Sequence, residues 1–189
     1  MKKRIIRVGF DFDGVIAYNP FRVIRLPVSL VKRHFFGEKK LHFWYPEKKW
    51  QQIFWILLHE SSVFPARGIS LLKKLIESEV IEAHLITARY SFLDHQLYRW
   101  LNRNKLRKSF NTINLNTKDE QPHLFKERLL KKHRLDFFIE DNLDIVKHLH
   151  KKNSTRIFWI YNILDRNYPH IAGCLSPSFA DNFFRSSHR

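Results

Sequence analysis

Asp11 and Asp13 stand two residues apart, behind an apolar run and ahead of Gly14. The run itself, with Ile5, Ile6, Val8 and Phe10, reads as a short buried strand, because β-branched and aromatic side chains suit a packed pleated surface. The two aspartates then fall where that strand leaves its sheet, and carboxyl ends of strands are where open α/β sheets bind ligands. Burying two carboxylates costs several kcal/mol each unless positive charge meets them. A divalent cation can supply that charge, and hard oxygen donors suit magnesium. Asp and Gly are also ordinary turn residues, so the pair becomes a site only if other strand ends bring partners. A calcium loop is excluded, since its fifth and twelfth positions fall on Val15 and Arg22 instead of oxygen donors.

The elements that must position such a site follow in order. Gly68 to Glu79 reads as an amphipathic helix with Ile69, Leu72, Leu75 and Ile76 on one side. Ala83 to Ile86 reads as a buried strand ending at Thr87. Ser91 with Asp94 suggests a helix start, and Leu93, Leu97, Trp100 and Leu101 form its inward stripe. Thr112 to Leu115 is a third strand. Pro122 marks the first turn of a helix running to about His133. Asp136 to Ile139 is a fourth strand, ending in Glu140-Asp141-Asn142. Leu143 to His150 is helical, and Arg156 to Ile160 is a fifth strand. Alternating strands and helices predict a parallel sheet covered on both faces.

Residues 18–65 interrupt this order and are too long for a loop. They contain Tyr18-Asn19-Pro20, basic apolar stretches from Phe21 to Phe36, and an aromatic group of Trp44, Tyr45, Trp50 and Trp55. Trp50 to His59 has helical spacing. The segment is expected to be a small helical cap whose aromatics form its own core or a stacking surface for a flat group. The division is therefore 1–17 and 66–189 for the core, and 18–65 for the cap.

Bulk composition narrows the class. The 189 residues are 44% hydrophobic and 15% aromatic, which supports a substantial core and argues against disorder. The one cysteine, Cys174, excludes an internal disulfide and suits a reducing compartment such as the cytoplasm. No apolar stretch is long enough for a membrane span. The 11 histidines show no paired ligand spacing and are not assigned to metal. Lys and Arg number 34 against 18 acidic residues, a net charge of +16. Such a surface attracts phosphorylated ligands and polyanions, or else is a solvated face.

Taken together, Phe10-Asp11-Phe12-Asp13-Gly14-Val15, Leu85-Ile86-Thr87-Ala88-Arg89, Lys126 and Phe138-Ile139-Glu140-Asp141-Asn142 resemble the four motifs of the haloacid dehalogenase (HAD) superfamily of aspartate-nucleophile phosphohydrolases. The overall style resembles its small 5′-nucleotidase-type branch. The resemblance implies a three-layer Rossmann-like α/β core with the helical cap inserted after the first strand. It implies Asp11 as nucleophile and Asp13 as general acid and base, with the Asp13 backbone carbonyl on the metal. Mg²⁺ would lie on Asp11 and Asp141, with Glu140 in direct contact or one step behind. Thr87, Ala88 and Arg89 would hold phosphate, Lys126 would neutralise it, and Gly14 would let the chain turn close by. Lys118 is a rival to Lys126. Tyr18 and Arg22 are candidate substrate contacts from the cap.

The expected activity is a Mg²⁺-dependent phosphatase acting on a small phosphomonoester, a nucleotide among the candidates, through an aspartyl-phosphate. Two other functions fit the same fold: a nucleic-acid end-processing phosphatase, motivated by the charge, and a basic binding protein without catalysis.

Overall fold

The computed structural model describes residues 4–18, 41–60, 64–66 and 68–160. Five strands form one parallel sheet: β1 (Ile6–Phe10), β2 (Ile81–Tyr90), β3 (Thr112–Asn116), β4 (Phe137–Glu140) and β5 (Arg156–Trp159), in spatial order β3-β2-β1-β4-β5. β1 is central. It pairs with β2 through Ile6 to Ile81 and Phe10 to Leu85, and with β4 through Val8 to Phe137 and Phe10 to Ile139.

The helices among the described residues are α1 (Lys49–Glu60), α2 (Ile69–Glu77), α3 (Asp94–Arg103), α4 (Pro122–His133) and α5 (Leu143–Lys152). Because side chains alternate across a strand, the sheet has two apolar faces. Val8, Phe10, Ala83 and Leu85 join Leu72 and Leu75 of α2 and Leu97, Trp100 and Leu101 of α3 in one core. Ile86, Phe138 and Ile157 join Phe125, Leu129 and Leu130 of α4 and Ile145, Val146 and Leu149 of α5 in the other. This is the three-layer α/β/α arrangement that the alternating pattern predicts. Gly9 faces the second core, where a Cβ would come within 2.5 Å of Leu135 Cδ1 and 2.8 Å of Phe138 Cδ2.

Several boundaries differ from expectation. β2 does not end at Thr87 but runs on to Tyr90. Between Thr87 and Tyr90 the pairing with β3 shifts, and Ala88 and Arg89 are extra residues in that ladder. Ser91 does not cap a helix; it opens a short 3-10 turn, and α3 begins at Asp94. Its hydroxyl binds Asp119 at 2.9 Å instead. The helix expected from Trp50 to His59 is present as α1. Trp50, Ile53, Phe54 and Leu57 are all more than half exposed. The basic apolar stretch of 21–36 lies outside the described residues.

The chain enters and leaves the 18–65 segment side by side. Ala17 bridges to Pro65, the Tyr18 amide donates to the Phe64 carbonyl at 2.9 Å, and the Ala66 amide donates to the Ile16 carbonyl at 2.8 Å. A second fastening is made by side chains. Gln121 accepts from the Phe43 amide at 2.8 Å and donates to its carbonyl at 3.2 Å, imitating a strand partner. Asp119 accepts from the Tyr45 hydroxyl at 3.2 Å and the Ser91 amide at 2.7 Å. The Tyr90 hydroxyl donates to the Trp44 carbonyl at 2.9 Å, and burial followed by the nearby Asp119 pushes it up to about 12.

Candidate active site

Asp11 continues the β1 ladder past its last strand residue, its amide donating to the Ile139 carbonyl at 3.0 Å. That register sets it beside Glu140 at the end of β4. Phe12 alternates inward, fully buried, with its ring edge-on to Trp100 at 5.0 Å. Asp11 and Asp13 therefore point away from the core that Phe12 enters. The chain then turns sharply. Gly14 has φ 80, and the amides of Ile16 and Ala17 both donate to the Phe12 carbonyl. A side chain at that φ is strained, which accounts for glycine there.

Of the two candidate lysines, Lys126 lies among the acids. It is 2% exposed, and its Nζ lies 2.6 Å from Glu140 Oε2 and 3.0 Å from Asp11 Oδ2. Lys118 is exposed. Helix α4 places Lys126 one turn inside its amino end, on the side that meets the sheet. Burial alone would lower its proton affinity. The adjacent carboxylates of Asp11 and Glu140 outweigh that and hold its pKa above the ordinary lysine value. Burial pushes Asp11 above the usual carboxylate range, against the pull of Lys126. Glu140 is pushed to about 8 by burial, again opposed by Lys126. The ammonium stays charged, but one positive charge is shared between two carboxylates.

Glu140 is fully engaged. Besides Lys126 on Oε2, its Oε1 accepts from the Asn142 amide at 3.0 Å. Asn142 caps α5, accepting from the amides of Asp144 and Ile145. The Trp159 indole donates to the Asp141 carbonyl at 3.1 Å, fixing that backbone.

Arg89 occupies a place that the sequence does not announce. Its guanidinium grips Asp13 in a fork, Nε to Oδ2 at 2.8 Å and Nη2 to Oδ1 at 2.7 Å. It lies 4.5 Å over the Phe12 ring, and Nη2 reaches the His59 carbonyl of α1 at 3.5 Å. The irregularity after Thr87 explains this: extra residues in one strand re-aim a side chain. Thr87 is buried, and its Oγ1 accepts from the Arg89 amide at 3.3 Å. Ala88 packs against the α4–α5 core. Tyr18 is 57% exposed at the edge of the core, and Arg22 lies outside the described residues. Asp119 and Gln121 were not singled out as functional from sequence. Their only signal is position, just beyond β3 at the same edge of the sheet as the aspartates.

The donor set fits a divalent cation. Asp11, Glu140 and Asp141 each bring one carboxylate oxygen within 4.8 Å of the others, and all three are buried. Among the described residues the site buries four carboxylates, counting Asp13, against two cations, Lys126 and Arg89. Fully ionised, the four carboxylates would exceed the two cations by two charges, the charge of one such ion, and the raised Asp11 and Glu140 reflect that surplus. Hard carboxylate oxygens without nitrogen or sulfur donors favour magnesium over zinc.

No protein-family model and no curated protein matches this sequence. Solved structures do match. A HAD-superfamily hydrolase from Ehrlichia chaffeensis aligns over 100% of both chains at 14% identity, TM-score 0.54. Magnesium-bound YfnB from Bacillus subtilis, named as a HAD-hydrolase, aligns over 97% of this chain and 100% of its own at 12% identity, TM-score 0.62. β-Phosphoglucomutase from Clostridium difficile aligns over 97% and 99% at 16% identity, TM-score 0.56. The fold is thus the HAD-like Rossmann fold. No helix among the described residues is long and apolar enough to cross a membrane.

Proposed function

We propose that this chain is a magnesium-dependent phosphomonoester hydrolase with Asp11 as its nucleophile. The observation that carries the reading is convergence: Lys126, from a helix, bonds both Asp11 at the end of β1 and Glu140 at the end of β4. The surplus of buried negative charge supports it, as does the likeness of the fold to HAD-superfamily hydrolases.

Phosphoryl transfer asks for an in-line nucleophile, charge neutralisation and a proton for the leaving oxygen. An Asp11 oxygen forms a bond to phosphorus as the ester P–O bond breaks, giving an aspartyl-phosphate. Asp13 takes up a proton from water as one of its oxygens leaves the Arg89 fork, and gives that proton to the departing alkoxide. It then takes one from the water that attacks phosphorus, and the Asp11–phosphorus bond breaks to release inorganic phosphate. The Arg89 fork keeps Asp13 in position, and the acid step requires one Asp13 oxygen to leave that fork. Mg²⁺, held by Asp11 and Asp141 with the Asp13 carbonyl, would screen the nucleophile from the anionic phosphate. Glu140 anchors Lys126 and would stand as the third carboxylate beside the ion. The Thr87 hydroxyl, still able to donate, and Lys126 would hold phosphate oxygens.

Residues 18–65 are read as a gate hinged at Ala17 and Pro65. Exposed Trp44 and Trp50 offer flat faces for a nucleobase, which favours nucleotides among small phosphomonoesters, as in the 5′-nucleotidase branch. One cysteine in the chain and a magnesium requirement suit the cytoplasm.

The test is a panel of nucleotides and sugar phosphates with Mg²⁺ or EDTA, run beside Asp11→Asn. Phosphate release should need the metal and fall at least about a thousandfold in the variant. Calorimetry should show Mg²⁺ binding that Asp141→Asn weakens. Undiminished release from Asp11→Asn would remove the nucleophile assignment.

A further inference from the structure

At the opposite end of the sheet, where β1, β4 and β5 begin, lies a cleft of about 900 Å³. Five basic side chains line it: Arg4, Lys131, Arg134, Lys152 and Arg156, with one acid, Asp136. They come from unrelated stretches. Arg134 closes α4, Lys152 ends α5, and Arg156 opens β5. Arg4 pairs with Asp136 and Lys131 with Glu127. Among the described residues, Arg134, Lys152 and Arg156 meet no carboxylate within ion-pair distance.

Helix ends give a simple reason for some of this charge. The carboxyl ends of α4 and α5 point here, and each is worth about half a negative charge. Two ends, Asp136 and Glu127 together offset roughly three of the five cations. The remainder is a standing excess in a concave space far larger than one phosphate ion. Arg134 holds the left-handed backbone, φ 48 and ψ 52, that ends α4, as Glu79 and Lys105 do just past α2 and α3.

We infer that this cleft binds the phosphodiester backbone of a nucleic acid, separately from the hydrolytic site. Its cations are spaced over three elements, as a chain of phosphates requires, and a concave cleft suits a strand better than a flat bilayer. The net charge of +16 would bring such a polyanion to the surface quickly. The site is well removed from the chemistry: five residue steps of about 3.3 Å each separate Ile6, on its wall, from Asp11 by roughly 17 Å.

The test uses the full chain and a fluorescein-labelled oligothymidylate with hydroxyl ends, which gives the hydrolytic site no phosphomonoester to hold. Anisotropy titrations between about 50 and 200 mM salt should show steep weakening, with a log–log slope near −2 to −3 for three or four phosphate contacts. The triple variant Arg134→Gly, Lys152→Ala, Arg156→Ala should bind at least about tenfold more weakly and lose about 2 from that slope. Arg134→Gly relieves the backbone at φ 48, so weak binding with an unchanged melting temperature cannot be ascribed to misfolding. Hydrolysis of a small phosphomonoester, measured alongside, should be the same in both proteins, and the binding result stands whether or not hydrolysis is observed. The inference is overturned if wild type does not bind at the low salt, or if the triple variant keeps its affinity and slope. Displacement of the oligomer by millimolar inorganic phosphate, or preferential binding to phosphatidylserine vesicles, overturns it as well.

Discussion

Lys126 sits between two carboxylates that burial has already made expensive to ionise. Replacing it with methionine keeps the volume and removes the charge, leaving Asp11 and Glu140 facing each other. Urea unfolding of Lys126→Met at neutral pH should show a loss of about 3–5 kcal/mol, the cost of breaking a buried pair. An unchanged stability would mean the lysine is not the partner of both acids in solution. Arg89 predicts a different outcome. Arg89→Gln dissolves the fork on Asp13 and should lower kcat by about 10²–10⁴, the span associated with a positioned acid or base. Arg89→Lys should not restore it, because an ammonium cannot span two carboxylate oxygens in a plane. Equal activity in the lysine variant would show that charge alone suffices there. Lys126 was legible from sequence because it opens a helix whose next strand delivers Glu140. The grip of Arg89 on Asp13 was not, since an irregularity in pairing leaves no mark in hydrophobic pattern and turns a phosphate candidate towards another residue.

Elements carry their own tests. Gly9 lies where β1 passes Leu135 and Phe138 so closely that a methyl group must displace one of them. Gly9→Ala should cost about 1–3 kcal/mol through overpacking, read as a lower urea midpoint with an unchanged slope. The clasp on the 41–48 stretch is equally specific. Asp119→Ala deletes the acceptor shared by Tyr45 and Ser91. Hydrogen exchange at residues 41–48 should then speed up while the strands keep their protection. If exchange there is unaffected, Asp119 does not hold that stretch. Strand cores were readable because runs such as Leu85-Ile86 and Phe137-Phe138-Ile139 are apolar and bounded. The clasp was hidden because the Gln121 amide copies backbone geometry, a role any polar residue in a loop might or might not take. The exposed face of α1 also escaped, since helical spacing says which side is apolar but not whether anything covers it.

Across the molecule, the parallel sheet and both its helical layers followed from alternation of pattern, whereas the spatial order of strands did not, because pairing partners lie far apart in sequence. Three histidines give the protein as a whole a pH response. Burial is the first cause lowering His84, His123 and His133, helped respectively by His133 and Arg7, by His148 and His42, and by Lys132, and opposed by Glu82 at His84 and His133 and by Glu127 at His123. With folded values below about 6.5, the unfolded chain binds more protons as pH drops past that point. Stability is therefore present above about pH 6.5 and is lost on acidification towards the lower folded values. Glu140, pushed to about 8, works in the opposite direction over the same range, so the histidine share is read as a difference: between about pH 7.5 and 5.5 the urea midpoint of the wild type should fall relative to that of His84→Gln, and a constant gap between the two would dismiss His84 as a source. The central position of β1 carries one more consequence. Val8 pairs with Phe137, 129 residues downstream. At a synthesis rate of about 5–20 residues per second, the ribosome leaves one edge of that strand bare for roughly ten seconds. During that interval its open edge and apolar faces stay available for mispairing with other chains, a hazard that ends only when β4 has been made.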